Sequence, residues 1–294
     1  MPIDPKDFRK NLTYSNTALT AEILTDLTQI LEIDQSAEKE QKKYRNLLIG
    51  SIVVAVLGIV LLATVVATAI GLVLLVVGAI AAIVAGILMA YKGRLNIANY
   101  RHQFARKVLE MLARDMEPDA EVNLQLVFSQ PDEKNKLIHQ GDHPYRSGWK
   151  IKLFADKCLT AQGKFLDGTR FCLSATEMYQ TQSGWKRGRS GKMKHKTKSK
   201  SKGWKIKLDL KCSQHRYGAV QLLKEEANGA VKLPEYVQLK TLEITDKAIE
   251  LKVKTPPWAE AVAAESLYQT VTMMFLSLYQ VLNLARLLSK KKAV

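Results

Sequence analysis

From Asn46 to Tyr91 the chain runs for 46 residues without a charged side chain. Only Asn46, Ser51, Thr64, Thr68 and Tyr91 offer polar side-chain atoms in that stretch. As one helix it would be roughly 69 Å long, more than twice a hydrocarbon core of ~30 Å. Two antiparallel helices of about 22 residues each fit that core with slight tilt. The reversal is expected near Thr68 to Gly71, where Ala67, Ala69 and Gly71 are small. The remaining residues are too charged to cover such a hairpin inside a soluble fold, so the pattern predicts a transmembrane hairpin over 46–91.

The flanks match at both ends. Lys42, Lys43, Tyr44 and Arg45 precede the first span, and Tyr91, Lys92 and Arg94 follow the second. Cations mark the cytoplasmic side and Tyr the headgroup level, so a two-pass protein with both termini cytoplasmic is expected. In the second span Gly78, Ala82, Gly86 and Ala90 recur every fourth position and form a smooth ridge for helix packing, matched by Ser51 and Ala55 in the first. No ionisable group lies inside the spans, which argues against a proton relay or transporter. The first 45 residues lack an apolar core segment, so no cleavable leader is read there.

Outside the hairpin the chain is strongly basic, with 44 Lys and Arg against 28 Asp and Glu. Residues 1–45 read as an N-terminal cytoplasmic segment, helical from about Thr17, with Leu19, Ile23, Leu27, Ile30 and Leu31 on one face. Residues 92–118 read as a second juxtamembrane helix ending before Pro118, with Arg101, Arg106 and Lys107 leaving open a helix lying flat on the membrane. From Glu121 the hydrophobic period changes to two. Residues 122–128, 149–154, 158–181 with a turn at Asp167-Gly168, 204–210, 236–244 and 248–254 read as strands of an antiparallel β-rich domain over 119–256. The hexapeptide GWKIKL occurs at 148–153 and 203–208. Its copies read as equivalent strands with Trp149 and Trp204, Ile151 and Ile206, and Leu153 and Leu208 on the core face.

Pro256-Pro257 stops the last strand, and residues 257–294 read as a long C-terminal helix. Leu267, Val271, Met274, Leu278, Val281 and Leu288, with Ala285, follow a heptad seam. That seam serves either packing on the β-domain or a homo-oligomer, and the helix length favours self-association. A third crossing over 266–285 is disfavoured, because it would place Lys290 to Lys292 on the wrong side. The fold class is therefore an α+β membrane protein: a two-helix hairpin, juxtamembrane helices, an antiparallel β-rich domain and a C-terminal helix.

The densest chemical signal is KRGRSGKMKHKTKSKSK at 186–202, read as a long mobile hairpin loop. Lys186, Arg187, Arg189, Lys192, Lys194, Lys196, Lys198, Lys200 and Lys202 contain nine positive charges with no acid among them. Such a cluster docks on anionic lipid or on nucleic acid, both through phosphate. Trp185 and Trp204 flank it. His139, Asp142 and His143 in HQGDH lack a helical frame for a metal pair, and Cys158, Cys172 and Cys212 lack CxxC spacing, so neither a metal nor a cofactor is expected. GRSGKM at 188–193 lacks phosphate-loop spacing, and no hydrolase, dinucleotide or zinc-protease motif occurs.

Gly163-Lys164, Gly168-Thr169, Phe171, Ser174 and Glu177, followed by a basic segment and a strand, resemble bacterial inner-membrane proteins with an N-terminal transmembrane hairpin and a cytoplasmic β-rich domain, a family without assigned function. The resemblance implies a bacterial inner-membrane location and supplies no catalytic residues. Together these features point to a non-enzymatic, membrane-anchored adaptor or membrane-organising protein whose partners are the membrane, anionic lipid and a second copy of itself. A membrane-tethered nucleic-acid-binding module is the alternative, and an enzyme of unknown class the third reading.

Overall fold

The computed structural model describes residues 8, 10–63, 68–93, 97–212, 214–217, 220–223 and 227–292. The described residues up to Lys10 with Asp26–Ile97 form one unit, and Asn11–Thr25 with Ala98–Val294 form a second. The chain therefore passes from the first unit to the second after residue 10, back after residue 25 and to the second again after residue 97.

Helix α1 runs without a break over Thr20–Leu62, its first six residues counted with the second unit, and α2 over Thr68–Gly93. The expected juxtamembrane helix and first span are therefore one helix, roughly 65 Å long. The chain reverses after Leu62 and before Thr68, earlier than expected, since Thr68 to Gly71 already belong to α2. Packing explains the shift. A methyl group at Gly71 would lie 2.8 Å from the Leu62 nitrogen, and one at Gly78 would lie 2.7 Å from the Ala55 nitrogen and 2.9 Å from the Ser51 carbonyl oxygen. The backbones touch at Gly58, Gly71 and Gly78, so α2 already packs against α1 at Gly71.

The buried small residues recur every seventh position, Ser51 and Gly58 on α1 and Gly71, Gly78 and Ala85 on α2. That is the repeat of a left-handed seam rather than the four-residue ridge expected. Gly78 belongs to it, Ala82 lies at its margin, and Gly86 and Ala90 face away; a Cβ at Gly86 would meet nothing within 4 Å. Both helices are long and apolar enough to cross a membrane, and only 11% of the most apolar window of each is buried. Leu57, Val60, Ile80, Ile83 and Ile87 among others are exposed.

The second unit is an eight-stranded antiparallel sheet covered by two helices. The strands are β1 (Thr13–Leu19), β2 (Glu121–Val127), β3 (Leu137–Asp142), β4 (Trp149–Lys164), β5 (Arg170–Arg187), β6 (Met193–Lys211), β7 (Gln238–Ile244) and β8 (Ala248–Thr255). Their order is β1-β2-β4-β5-β6-β8-β7, with β3 on the other half of the β4 edge. Residues 13–19, the first of which precede the helix expected from Thr17, instead form β1, pairing Tyr14 with Leu126 and Ala18 with Val122. Phe128 N–H donates to the Leu12 carbonyl (2.8 Å), extending that edge.

One face of the sheet is apolar, with Leu124, Leu126, Leu173, Ile206, Leu208, Ile249 and Leu251 almost inaccessible. Helices α3 (Asn99–Leu112) and α4 (Glu260–Lys292) supply the facing core through Phe104, Val108 and Leu109 and through Leu267, Val271, Met274, Leu278 and Val281. Each such side chain contributes about 1.5–3 kcal/mol by leaving water. The two helices also join directly: Thr272 Oγ1 lies 3.2 Å from Met111 Sδ, and Lys107 pairs with Glu265. A helix α3 lying flat on a membrane is excluded by this burial, Arg101 included.

The heptad seam of α4 is consumed here. Leu267, Val271, Met274, Leu278, Val281 and Ala285 are buried in the chain's own unit, so they offer no oligomer face; the side chain of Leu288 lies outside the described residues. The length argument for self-association assumed a globule about 30 Å across. Here the helix is covered along its length by α3, by the short helical segments 214–217, 220–223 and 227–230, and by β6.

Candidate functional site

Strands β5 and β6 continue beyond the core as a finger, which β4 still pairs on the β5 side from Tyr179 to Gly184, with β3 outside β4, so that only the last pairs, Trp185↔His195 to Arg187↔Met193, stand as two strands. The β5–β6 register advances from Tyr179↔Ser201 through Trp185↔His195 to Arg187↔Met193, which makes nine pairs and about 30 Å. The segment expected as a mobile loop over 186–202 is therefore mostly strand. Its turn is short: Gly188 N–H donates to the Lys192 carbonyl (2.9 Å) and Gly191, with φ of 75°, donates to Gly188 (3.0 Å). Lysine alternating with Met, His, Thr and Ser is a period-two pattern, and that alternation is what a ribbon displays.

A bulge sets which way the lysines point. Between Trp204 and Ser201 β6 advances three residues while β5 advances two, from Glu177 to Tyr179. Gly203 absorbs the step with φ of 92°; a Cβ there would lie 2.0 Å from the Thr255 carbonyl oxygen. Directly opposed residues share a face. Below the bulge, Trp204, Ile206 and Leu208 occupy the apolar face and the lysines the open face. Above it, Lys194, Lys196, Lys198 and Lys200 keep to the open face with Lys186 beside Lys194, while Trp185, His195 and Met193 take the other. All these lysines are exposed, and among the described residues no carboxylate pairs with them. Lys192 and Arg189 sit at the turn, and Lys202 within the bulge is exposed. Trp185 and Met193, exposed by 59% and 58%, crown the finger, whereas Trp204 is a core residue.

The same open face carries paired charge nearer the core. Lys207 lies 3.1 Å from Asp209 and 2.6 Å from Glu250, and Lys252 also pairs with Glu250. Hydrogen bonds from Lys207 and Lys252 hold the Glu250 carboxyl down at about 2, while burial raises Asp209.

Beneath the bulges lies a second arrangement that sequence reasoning missed. Asp156 and Glu177 are cross-strand partners on the buried face, a placement of like charges that is unfavourable unless neutralised. Arg101 neutralises them: its guanidinium lies 2.7 Å from Asp156 and 2.8 Å from Glu177, and it donates to the Val127 carbonyl (3.0 Å). Tyr100 donates to Glu177 (2.9 Å) and stacks edge-on against Trp204. Lys136 reaches Asp156 (3.0 Å) and donates to Ser129 Oγ (2.7 Å) and the Gln130 carbonyl (2.8 Å). Burial pushes the Tyr100 phenol up and works against the Arg101 charge, but neighbouring Cys158, Tyr100 and Asp156 raise Arg101 overall. Cys158 occupies the β4 bulge with its thiol pushed up to about 12 by burial, so it is inert rather than nucleophilic. Arg101, Asp156 and Glu177 are buried, while Lys136 also lies 3.5 Å from the half-exposed Glu133, and the cluster sits at the root of the finger.

The remaining expected positions fall as follows. Lys42, Lys43 and Arg45 are exposed and Tyr44 half-buried along α1, and Tyr91 is exposed at the end of α2. The side chain of Lys92 and all of Arg94 lie outside the described residues. His139 and Asp142 belong to strand β3 rather than a loop, and His143 Nδ1 accepts from Tyr145 N–H (3.1 Å) in the turn that follows. Trp149, Ile151 and Leu153 lie on the open face, opposite to Trp204, Ile206 and Leu208, so the two GWKIKL copies are not equivalent. No protein-family model, curated protein or solved structure matches this chain.

Proposed function

We propose that the chain is a two-pass membrane protein, both termini cytoplasmic, that acts without catalysis by holding a stiff basic finger against anionic lipid headgroups. The resemblance noted above suggests a bacterial inner membrane. The carrying observation is the finger: unpaired lysines on one face of a folded ribbon, with Trp185 and Met193 exposed at its end. Near an anionic leaflet each lysine contributes on the order of 1 kcal/mol. A tryptophan at the tip suits the headgroup level. Beside Trp185, the exposed Met193 adds apolar surface suited to the headgroup–acyl boundary, which favours lipid over nucleic acid as the occupant. Two apolar helices on the same chain keep the finger at high effective concentration near a bilayer.

The test uses the full chain in nanodiscs of neutral phosphatidylcholine, mixed with sedimentable phosphatidylglycerol vesicles. Wild type is expected to co-sediment at low salt, and replacement of Lys192, Lys194, Lys196, Lys198, Lys200 and Lys202 by Ser is expected to abolish it. Equal sedimentation of both proteins removes the lipid role. Loss of binding to duplex or single-stranded nucleic acid, without a change on vesicles, would instead establish the nucleic-acid reading. Reporter fusions at Lys10 and Val294 test topology; opposite sides would sink the two-pass arrangement.

A further inference from the structure

The outer side of α4 borders a cavity of about 400 Å³ that none of the finger chemistry uses. Its walls are the end of α3, the β4–β5 turn and α4, with Phe165, Phe275 and Tyr279 as an aromatic cluster. A second groove of about 490 Å³ shares Leu276 and Tyr279 with it and continues along α4 past Leu284 to Leu287. The two form one trough, about 18 Å long from Phe275 to Leu287. Leu276 and Leu287 are exposed by 60% and 61%, although each could have been polar at no cost to the core.

Charge is confined to one end. Asp167 there is already satisfied, accepting from Thr169 N–H (2.8 Å), from Tyr279 OH (3.2 Å) and from Tyr217 OH. Asp115 and Arg216 are different: both are exposed on the cavity lining, and among the described residues neither is in an ion pair. A ligand that fits must therefore place an apolar chain along α4 and offer one negative and one positive group at the mouth. The trough exceeds one leaflet of about 15 Å, so a single acyl chain lies within it.

We propose that this trough binds a single-chain zwitterionic phospholipid, its acyl chain along Phe275, Leu276, Leu284 and Leu287, its phosphate on Arg216 and its ammonium on Asp115. The inference rests on the membrane reading only for the source of the ligand; the site itself belongs to the sheet unit. It also gives α4 a task on the side that its buried seam leaves over.

The full chain in phosphatidylcholine nanodiscs is incubated with lysophosphatidylethanolamine carrying a diazirine on its acyl chain, irradiated and digested. Label is expected on α4 peptides covering 275–287, and Leu276→Glu is expected to lower it at least about tenfold while labelling of α1 and α2 stays constant. Arg216→Gln and Asp115→Asn should each lower labelling by this probe and leave labelling by a diazirine fatty alcohol unchanged. These residues are all exposed, so the variants keep the fold. Equal α4 labelling in wild type and Leu276→Glu, or label confined to α1 and α2, overturns the site. Indifference of both probes to Arg216→Gln and Asp115→Asn overturns the headgroup assignment. Label on α4 with none on α1 or α2 would retain the site and reject the membrane reading instead.

Discussion

The hexapeptide GWKIKL appears twice and meets two fates. At 203–208 its Trp, Ile and Leu are the centre of the core, each at most 2% exposed; at 148–153 the same residues lie on the opposite face, with Ile151 and Leu153 only half-buried. Identical local sequence cannot account for this. The difference comes from Cys158, the extra residue in β4 that turns everything N-terminal to it over. An analogous bulge at Lys202-Gly203 turns the finger half of β6. Each long strand therefore has a core half and a finger half, and the charge cluster around Arg101 sits where the halves meet.

The largest effect should come from breaking that junction. Arg101→Ala leaves Asp156 and Glu177 side by side and buried with one cation fewer, a change that costs about 3–5 kcal/mol. Urea unfolding of the full chain in mild detergent, followed by the sheet signal, measures it. If Asp156→Asn in the Arg101→Ala background fails to recover part of the loss, the cluster is not acting through buried charge.

The strands of the core half were legible in sequence because their apolar residues alternate, as in Ile249, Leu251 and Val253. Strand β3 was not, since LIHQGD is exposed at nearly every position and so lacks an apolar face. Strand β1 was missed because TYSNTAL runs into α1 without a breaker and its periodic signal is weak. The finger's cations were legible, yet their strand conformation was hidden by charge that reads as solvated loop. Asp156, Glu177 and Arg101 carried no signal at all: 76 residues separate Arg101 from Glu177, and only the strand register brings the acids together.

Next in size is the repeat itself. Leu208→Ala removes a fully buried side chain and is expected to cost about 2–5 kcal/mol, whereas Leu153→Ala on the open face is expected to cost under about 1.5 kcal/mol. Equal losses in the same unfolding experiment would restore the equivalence that the register denies. Gly203→Ala probes the bulge. Its positive φ and the nearby Thr255 carbonyl predict a loss of about 1–3 kcal/mol, together with weaker hydrogen-exchange protection in 193–201 than in 204–211. Unchanged protection in the finger would mean that the bulge does not set its register.

The smallest effect concerns the open face of the core half, where lysines have acidic partners that finger lysines lack. Glu250 is held at about 2 by Lys207 and Lys252, below its ordinary value of 4.5. The unfolded chain therefore binds this proton more readily than the folded one. The associated stability is present above about pH 4.5 and is lost as pH falls toward 2. Because both lysines are more than one-third exposed, water screens the pair and its worth is below about 1 kcal/mol. Glu250→Gln should flatten that acid limb slightly and leave stability at neutral pH nearly unchanged, whereas Lys198→Gln in the unpaired finger should alter neither. A comparable acid-limb change for Lys198→Gln would show that the finger's charge is coupled to a carboxylate, and the contrast between paired and unpaired halves would fail.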